Sequence, residues 1–567
     1  MFNLGKGRQG HDRALIGVVA FAVAALSILP MFRLGLEIIA PQGRLSAEAL
    51  VSALSNTSTW TATKHSLQVG VGGTLLAVLV GTSVALLVSL TNVRSRSPFV
   101  LFYVVPLLIA PQVTALAWLQ LFGPASPFLK LIGMAPPLGS RNPLYSTEGI
   151  VLLLGVQYSP LVFLIVRAGL RKLPRELVEA ALSSGAGKWT VLRTIILPLM
   201  TPSIIGAMAL AFVSCVGNFG IPAFLGIPAN YLVLPTLIYQ RLAGSGPSVL
   251  SEVAVLSMLI GAIAITGILA QDYASRRRDY RIASTSLPAA PFELGRWRPF
   301  VETGMWLLIV LVLVLPLLGL ALTSLVSAYG VPLNWQTATL ENYRFVMFEH
   351  AAASRAFFNS FGLSLTAAAF AVVLAVPLGY LITWRQRWWT KLLNLSAELP
   401  YALPGVVLAI ASLLLFLKPV PVLGLHIYNT IWIILYAYLA RFLVLALRPT
   451  ISGLYQIDRS LEEAAQVAGA GLLTRMRTII FPMVAPATIA GGVLIFMTAF
   501  SELTVSALLW ASGSETIGVV IFSFEQGGDS SYASAISVLT VAVTFTLMLL
   551  TNLFARHLPN GVLPWRD

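Results

Sequence analysis

Two stretches of this chain share an acidic start, a pair of alanines, a glycine and a closing proline. Residues 179–198 read EAALSSGAGKWTVLRTIILP, and residues 463–482 read EAAQVAGAGLLTRMRTIIFP. One offset of 284 pairs Glu179 with Glu463, Gly185 with Gly469 and Pro198 with Pro482. Such a set suits docking rather than bond-making. A carboxylate beside Ala180 and Ala181, or beside Ala464 and Ala465, is a polar anchor on a surface small enough for a partner to approach closely. Leu177, Ala180, Ala181 and Ser184 recur at helical spacing. Gly185 permits the left-handed turn that ends the helix. A second short helix then runs to Ile196, and Pro198 opens the next span, where a missing N–H costs least. The competing role is a helix lying on lipid, flanked by Arg171, Lys172 and Arg175. Lipid contact does not require the same residues twice.

Other chemistry is sparse. The five histidines (His11, His65, His350, His426, His557) are scattered and show no metal-ligand spacing. The single cysteine, Cys215, excludes a disulfide framework, and its apolar neighbours predict a buried thiol. No phosphate-binding loop is present: at Gly187-Lys188 the next residue is Trp189, and position 182 is leucine. No cofactor is therefore expected on this chain.

Polar residues inside apolar runs are functional candidates, because burying them in lipid is costly. Glu502 lies in AFSELTVSALLW, and its counterpart at offset 284 is Asn218 in CVGNFGIPAFLG. Equivalent polar positions on two copies would face each other across a pseudo-twofold axis and line a pathway. Glu398, just before Pro400, is the third candidate. The competing roles are local: Asn218 bonding a carbonyl freed near Pro222, and Glu398 reaching the headgroups.

The elements that position these residues follow from composition. Of 567 residues 57% are hydrophobic and 10% charged, against about 25% charged in a soluble domain. A crossing helix needs about 20 apolar residues. Twelve candidates lie near 14–38, 66–90, 99–122, 149–170, 199–224, 248–270, 301–327, 358–384, 393–417, 427–447, 484–510 and 531–555. The run from Ala14 to Phe32 is longer than a signal-peptide core and reads as a retained first helix. With every span crossing and the N-terminus inside, 25 of the 36 Lys and Arg fall inside and nine outside, which places both termini in the cytoplasm. Arg167 and Arg441 are assigned to helix ends. The formal charge of +14 is thus membrane anchoring, and nucleic acid is excluded as a partner.

The predicted fold is an all-α integral membrane protein of about twelve transmembrane helices, in two parallel-repeated six-helix halves. Upstream the repeat persists at an offset near 294, pairing Ser66 with Ser360 and Pro106 with Pro400. The halves are residues 1–284, with its loop at 171–198, and 285–567, with its loop at 455–482. The Arg-rich segment 271–300, with Leu287 to Pro291, reads as the linker.

The loop pattern (EAA, three residues, Gly, nine residues, Ile, one residue, Leu-Pro) resembles the signature of binding-protein-dependent ABC importer permeases. The first copy matches through Glu179, Ala180, Ala181, Gly185, Ile195, Leu197 and Pro198; the second departs only at Phe481. The resemblance implies that each loop is a coupling helix seated on an ATPase subunit, with Glu179 and Glu463 as anchors. It implies two copies of an ABC ATPase that uses ATP and Mg, a periplasmic or lipid-anchored binding protein, and the bacterial inner membrane. SELTVSALLW followed by ETIGVVIF (515–522) resembles the ferric-iron subgroup. Thiamine, polyamine and phosphonate permeases are close relatives. The rival class is a secondary transporter without an ATPase, against which the paired docking loops and the scarcity of embedded charge argue.

Overall fold

The computed structural model describes residues 4–41, 44–137, 139–244, 249–276, 292–385, 387–419, 424 and 426–554. The boundary at 284/285, the segment Leu287–Pro291 and the C-terminal Arg556 and Arg566 lie outside the described residues. The chain is nearly all helical. Among the described residues ten helices are long and apolar enough to cross a membrane, or twelve if each of two sharply bent pairs counts as one span.

Those bent pairs depart from the continuous spans expected near 99–122 and 393–417. Arg96–Leu108 and Pro111–Leu131 meet at 100°, and Trp388–Ala402 and Gly405–Phe416 meet at 107°. Proline forces its predecessor out of the helical region. Ala110 before Pro111 has ψ 139°, and Leu403 before Pro404 has ψ 150°. Non-helical backbone is tolerated at membrane depth where protein buries it, as it does here: Ile109 is 4% and Leu403 7% exposed.

Two other spans end early. The runs 199–224 and 484–510 stop at Val216 and Phe500, and short helices Gly220–Leu225 and Ser506–Leu509 follow. At their other ends they begin sooner than expected. The second docking-loop helix is not separate, because Lys188–Val216 and Leu472–Phe500 are each continuous spans. Pro198 and Pro482 therefore lie within helices. The helix absorbs them by widening into a π-turn, Leu192–Ile196 and Met476–Ile480, closed by the N–H of the residue before each proline.

The halves interlock. Leu29–Ile39, from the first span, packs on Gly405–Phe416 of the second half, and Leu315–Ser324 packs on Pro111–Phe122 of the first. Within each half the central helices pack closely through small residues: a Cβ on Gly81 would lie 2.4 Å from the Ser159 carbonyl, and one on Gly491 2.6 Å from that of Leu445. The repeat extends to single bonds. Ser66 Oγ accepts from Leu234 N–H at 2.7 Å, and Ser360 Oγ accepts from Ile517 N–H at 2.9 Å, each where a short helix begins.

Candidate functional site

Each repeated loop forms a short helix, Arg175–Ser183 and Arg459–Val467. Both end at a left-handed glycine, Gly185 at φ +84° and Gly469 at φ +82°, with open space where a Cβ would stand at Gly185. Glu179, Ala180, Leu177 and Ser184 are exposed, and Ala181 is half-buried. In the second copy Glu463 and Ala464 are exposed and Ala465 is half-buried. Arg459 pairs with Glu463 at 3.3 Å on that surface. The outward face of both helices thus carries the acidic and small residues that a docking partner would meet.

The inward faces differ. In the first copy Val178 and Val191 are buried apolar contacts, 4% and 0% exposed. At the same positions of the second copy stand Glu462 and Arg475, buried and 3.4 Å apart, and Tyr380 Oη donates to Glu462 at 2.9 Å. The helix starts differ too. Asp458 accepts the Ser460 N–H at 2.9 Å, whereas Pro174 holds the same place in the first copy without a side-chain cap. That backbone N–H holds the Asp458 carboxyl below its ordinary range. Both contrasts stand in the sequence, but the letters do not give helix facing, so which side chains turn inward is set by the fold.

From each loop one helix of 29 residues, roughly 43 Å long, leads into the bundle. The two helices end at one cavity of about 240 Å³ between the halves. Asn218 and Glu502, the residues just past the helix ends, both line it. Each caps the short helix that follows. Asn218 Oδ1 accepts from Ile221 N–H at 2.9 Å, and its Nδ2 donates to Tyr158 Oη at 2.8 Å. Asn218 thus bonds an amide rather than a carbonyl freed near Pro222. Glu502 accepts from Val505 N–H at 2.9 Å and Ser506 N–H at 3.2 Å.

Arg441 also lines this cavity, with Nη1 3.5 Å from Glu502. It is not at a helix end, as the sequence assigned it: the helix runs Ile431–Leu454, a full turn and more past the last residue expected. Arg441 falls mid-span as a result. Its repeat partner is Gln157, which donates to the carbonyls of Pro106 and Ile109 at the first helix break. The offset of 284 would have found this pair. Glu398 does not line the cavity; it pairs with Arg448 at 3.2 Å. Cys215 is buried. Among the described residues no group of three or more His, Cys, Asp or Glu could hold a metal ion.

Paired surface helices, each followed by one continuous helix that leads to a shared cavity, define a two-fold membrane permease. Residues 73–280 and 371–563 match the binding-protein-dependent transport system inner membrane component family, and the chain belongs to it. It is 25% identical over 96% of its length, and 96% of the relative's, to a probable ABC transporter permease protein, y4fN, of Sinorhizobium fredii. It is 23% identical to the ferric transport system permease protein FbpB of Actinobacillus pleuropneumoniae, over 81% of this chain and 66% of that one. Among solved structures, a bacterial ABC transporter that imports alginate aligns with 46% of this chain and 96% of its own, at 17% identity and a TM-score of 0.37.

Proposed function

We propose that this chain is the transmembrane permease subunit of an ABC importer, with residues 1–284 and 285–567 as its halves. It lies in the bacterial inner membrane with both termini and both docking helices in the cytoplasm. Two copies of an ATPase subunit seat on Arg175–Ser183 and Arg459–Val467, with Glu179 and Glu463 as polar anchors. A periplasmic or lipid-anchored binding protein delivers cargo to the opposite face. The observation that carries this reading is the continuous helix from each docking loop to the cavity. A displacement imposed at Lys188 or Leu472 is carried along one continuous helix to Val216 or Phe500, two residues before Asn218 or Glu502. Asn218 and Glu502 then form the polar constriction that opens when the docking helices move.

Ferric iron is the cargo, supported by similarity to a ferric permease over four-fifths of the chain. A phosphonate is the second reading, favoured by the cation Arg441 in the cavity. The test is to purify the chain from its native membrane and identify what accompanies it. An ATPase at two copies per chain, lost when Glu179 and Glu463 are both replaced by alanine, is the expected result. A chain that arrives alone would shift the reading to a secondary transporter.

A further inference from the structure

The cavity between the halves is electropositive by construction. The bends at Ala110 and Leu403 turn two 12-residue helices so that their N-terminal ends, at Pro111 and Gly405, form part of its wall. Neither end has a side-chain cap, so the partial positive charge of each helix start is left to the cavity. Arg441 adds a full charge. Its guanidinium lies where a side chain at 405 would be: a Cβ on Gly405 would stand 1.5 Å from Nη1. Glu502 is the one carboxylate in the lining, and backbone N–H groups of Val505 and Ser506 already occupy its oxygens. At 3.5 Å its bond to Arg441 is long, and most of the guanidinium donors remain for a ligand. The hydroxyl of Tyr158 accepts from Asn218, which leaves its proton to donate. One acceptor is left over as well. Gln157 is 1% exposed, lines the cavity, and its Oε1 has no hydrogen-bond partner.

We infer that this cavity binds an oxyanion that also carries an O–H group. Arg441 and the two helix starts hold the anionic oxygens, and Gln157 Oε1 accepts the hydroxyl proton. The inference rests on the importer reading and sharpens it. A bare trivalent cation would meet Arg441 and two helix N-termini with no uncommitted carboxylate, so ferric iron crosses here as an oxyanion-bearing complex. A phosphonate cargo would present the same chemistry itself.

The test uses the full chain in lipid nanodiscs, titrated calorimetrically with inorganic phosphate at constant ionic strength against chloride. Saturable binding of one phosphate per chain is expected. R441M removes a charge-assisted contact and should weaken binding about ten- to a hundredfold. R441K should fall between, and G405A, which displaces the guanidinium without changing any charge, should also weaken binding. E502Q keeps one capping oxygen and removes the only negative charge, so it should bind phosphate at least as well as the parent; it remains informative if R441M fails to fold. Absence of saturable binding by the parent chain, an unchanged affinity in R441M, or weaker binding by E502Q overturns the proposal. Radioactive iron retained only together with phosphate assigns the anion to an iron complex, and phosphate retained equally without iron assigns it to a phosphonate-like cargo. The importer reading fails separately, when no ATPase accompanies the chain.

Discussion

Replacing Glu462 by valine should damage the second docking helix far more than replacing Glu462 and Arg475 together. The two side chains are 6% and 4% exposed, and Tyr380 donates to the same carboxylate. Removing one member of a buried pair strands the other charge, at a cost of about 3–5 kcal/mol, whereas an apolar pair of fitting shape is often neutral or better. The first half supplies that shape, since Val178 and Val191 occupy the corresponding positions. E462V and R475V should therefore each cost about 3–5 kcal/mol, and E462V/R475V should be free of the stranded-charge part of that cost. The double variant still leaves the Tyr380 hydroxyl without its acceptor, which costs about 1–3 kcal/mol. Its counterpart at offset 294 is Leu86, so adding Y380L should recover that loss.

Hydrogen exchange across Arg459–Arg475, with thermal unfolding of the purified chain beside it, reads the effect locally. A loss of about 3–5 kcal/mol raises the open population by a hundredfold or more, at tenfold per 1.4 kcal/mol. The Arg175–Ser183 helix serves as an internal control and should not change. A double variant as unprotected as the worse single would refute the reasoning, because the pair would then contribute more than mutual compensation of charge.

Three further outcomes follow from the same geometry. G185A and G469A force a Cβ into the left-handed region, at about 1–2 kcal/mol each, and should lower ATPase recovery on purification while G185N loses less. E502A should lower substrate-dependent ATP hydrolysis without loss of assembly, and unchanged uptake by that variant would remove Glu502 and Asn218 from the mechanism. The Asp458 carboxyl is held below its ordinary range in the fold by the Ser460 N–H. Its contribution is thus present above the unfolded-state pKa and is lost as pH falls through the lower folded value. Exchange protection of Arg459–Val467 should fall on acidification below the ordinary carboxylate range, and D458N should flatten that dependence.

The docking loops were legible because their signals are local: a glycine that must take positive φ, a proline at a fixed distance, and small residues at helical spacing. The internal repeat was legible through constant offsets. Helix breaks were harder, since the runs 99–122 and 393–417 are apolar across the bend, and hydropathy carries no information on direction. Pro111 and Pro404 held that information, yet a proline kinks a helix as readily as it ends one, as Pro198 and Pro482 demonstrate by lying inside continuous helices. Arg441 was misplaced by a boundary error of seven residues, 447 against Leu454, which moved a mid-span charge to a helix end. Burial of Glu462 beside an exposed Glu463 depends on helix facing, which two adjacent glutamates do not reveal.

The departures from two-fold symmetry at the cavity and at Glu462, Arg475 and Asp458 place charge in the second half, whereas Arg171, Lys172, Glu176 and Lys188 charge the first loop where Tyr455, Gln456, Ser460 and Leu472 stand in the second. At the cavity the first half contributes amides, Gln157 and Asn218, where the second contributes ions, Arg441 and Glu502. At the docking loops the first half contributes Val178, Val191 and Pro174, where the second contributes Glu462, Arg475 and Asp458. A homodimeric permease could not arrange this, because a charge placed in one half would appear in the other and meet its own image across the axis. Two arginines facing each other in a cavity of about 240 Å³ would repel strongly, and only one cation is needed to hold one oxyanion. Fusion of the halves into one chain fixes which copy carries the charge. Substituting Q157R should therefore reintroduce that repulsion and destabilise the packing around the cavity, while Q157R/R441Q, which moves the cation to the other half, should recover most of the stability. Equal stability of the single and double variants would mean that the cavity tolerates two cations, and that its asymmetry has another origin.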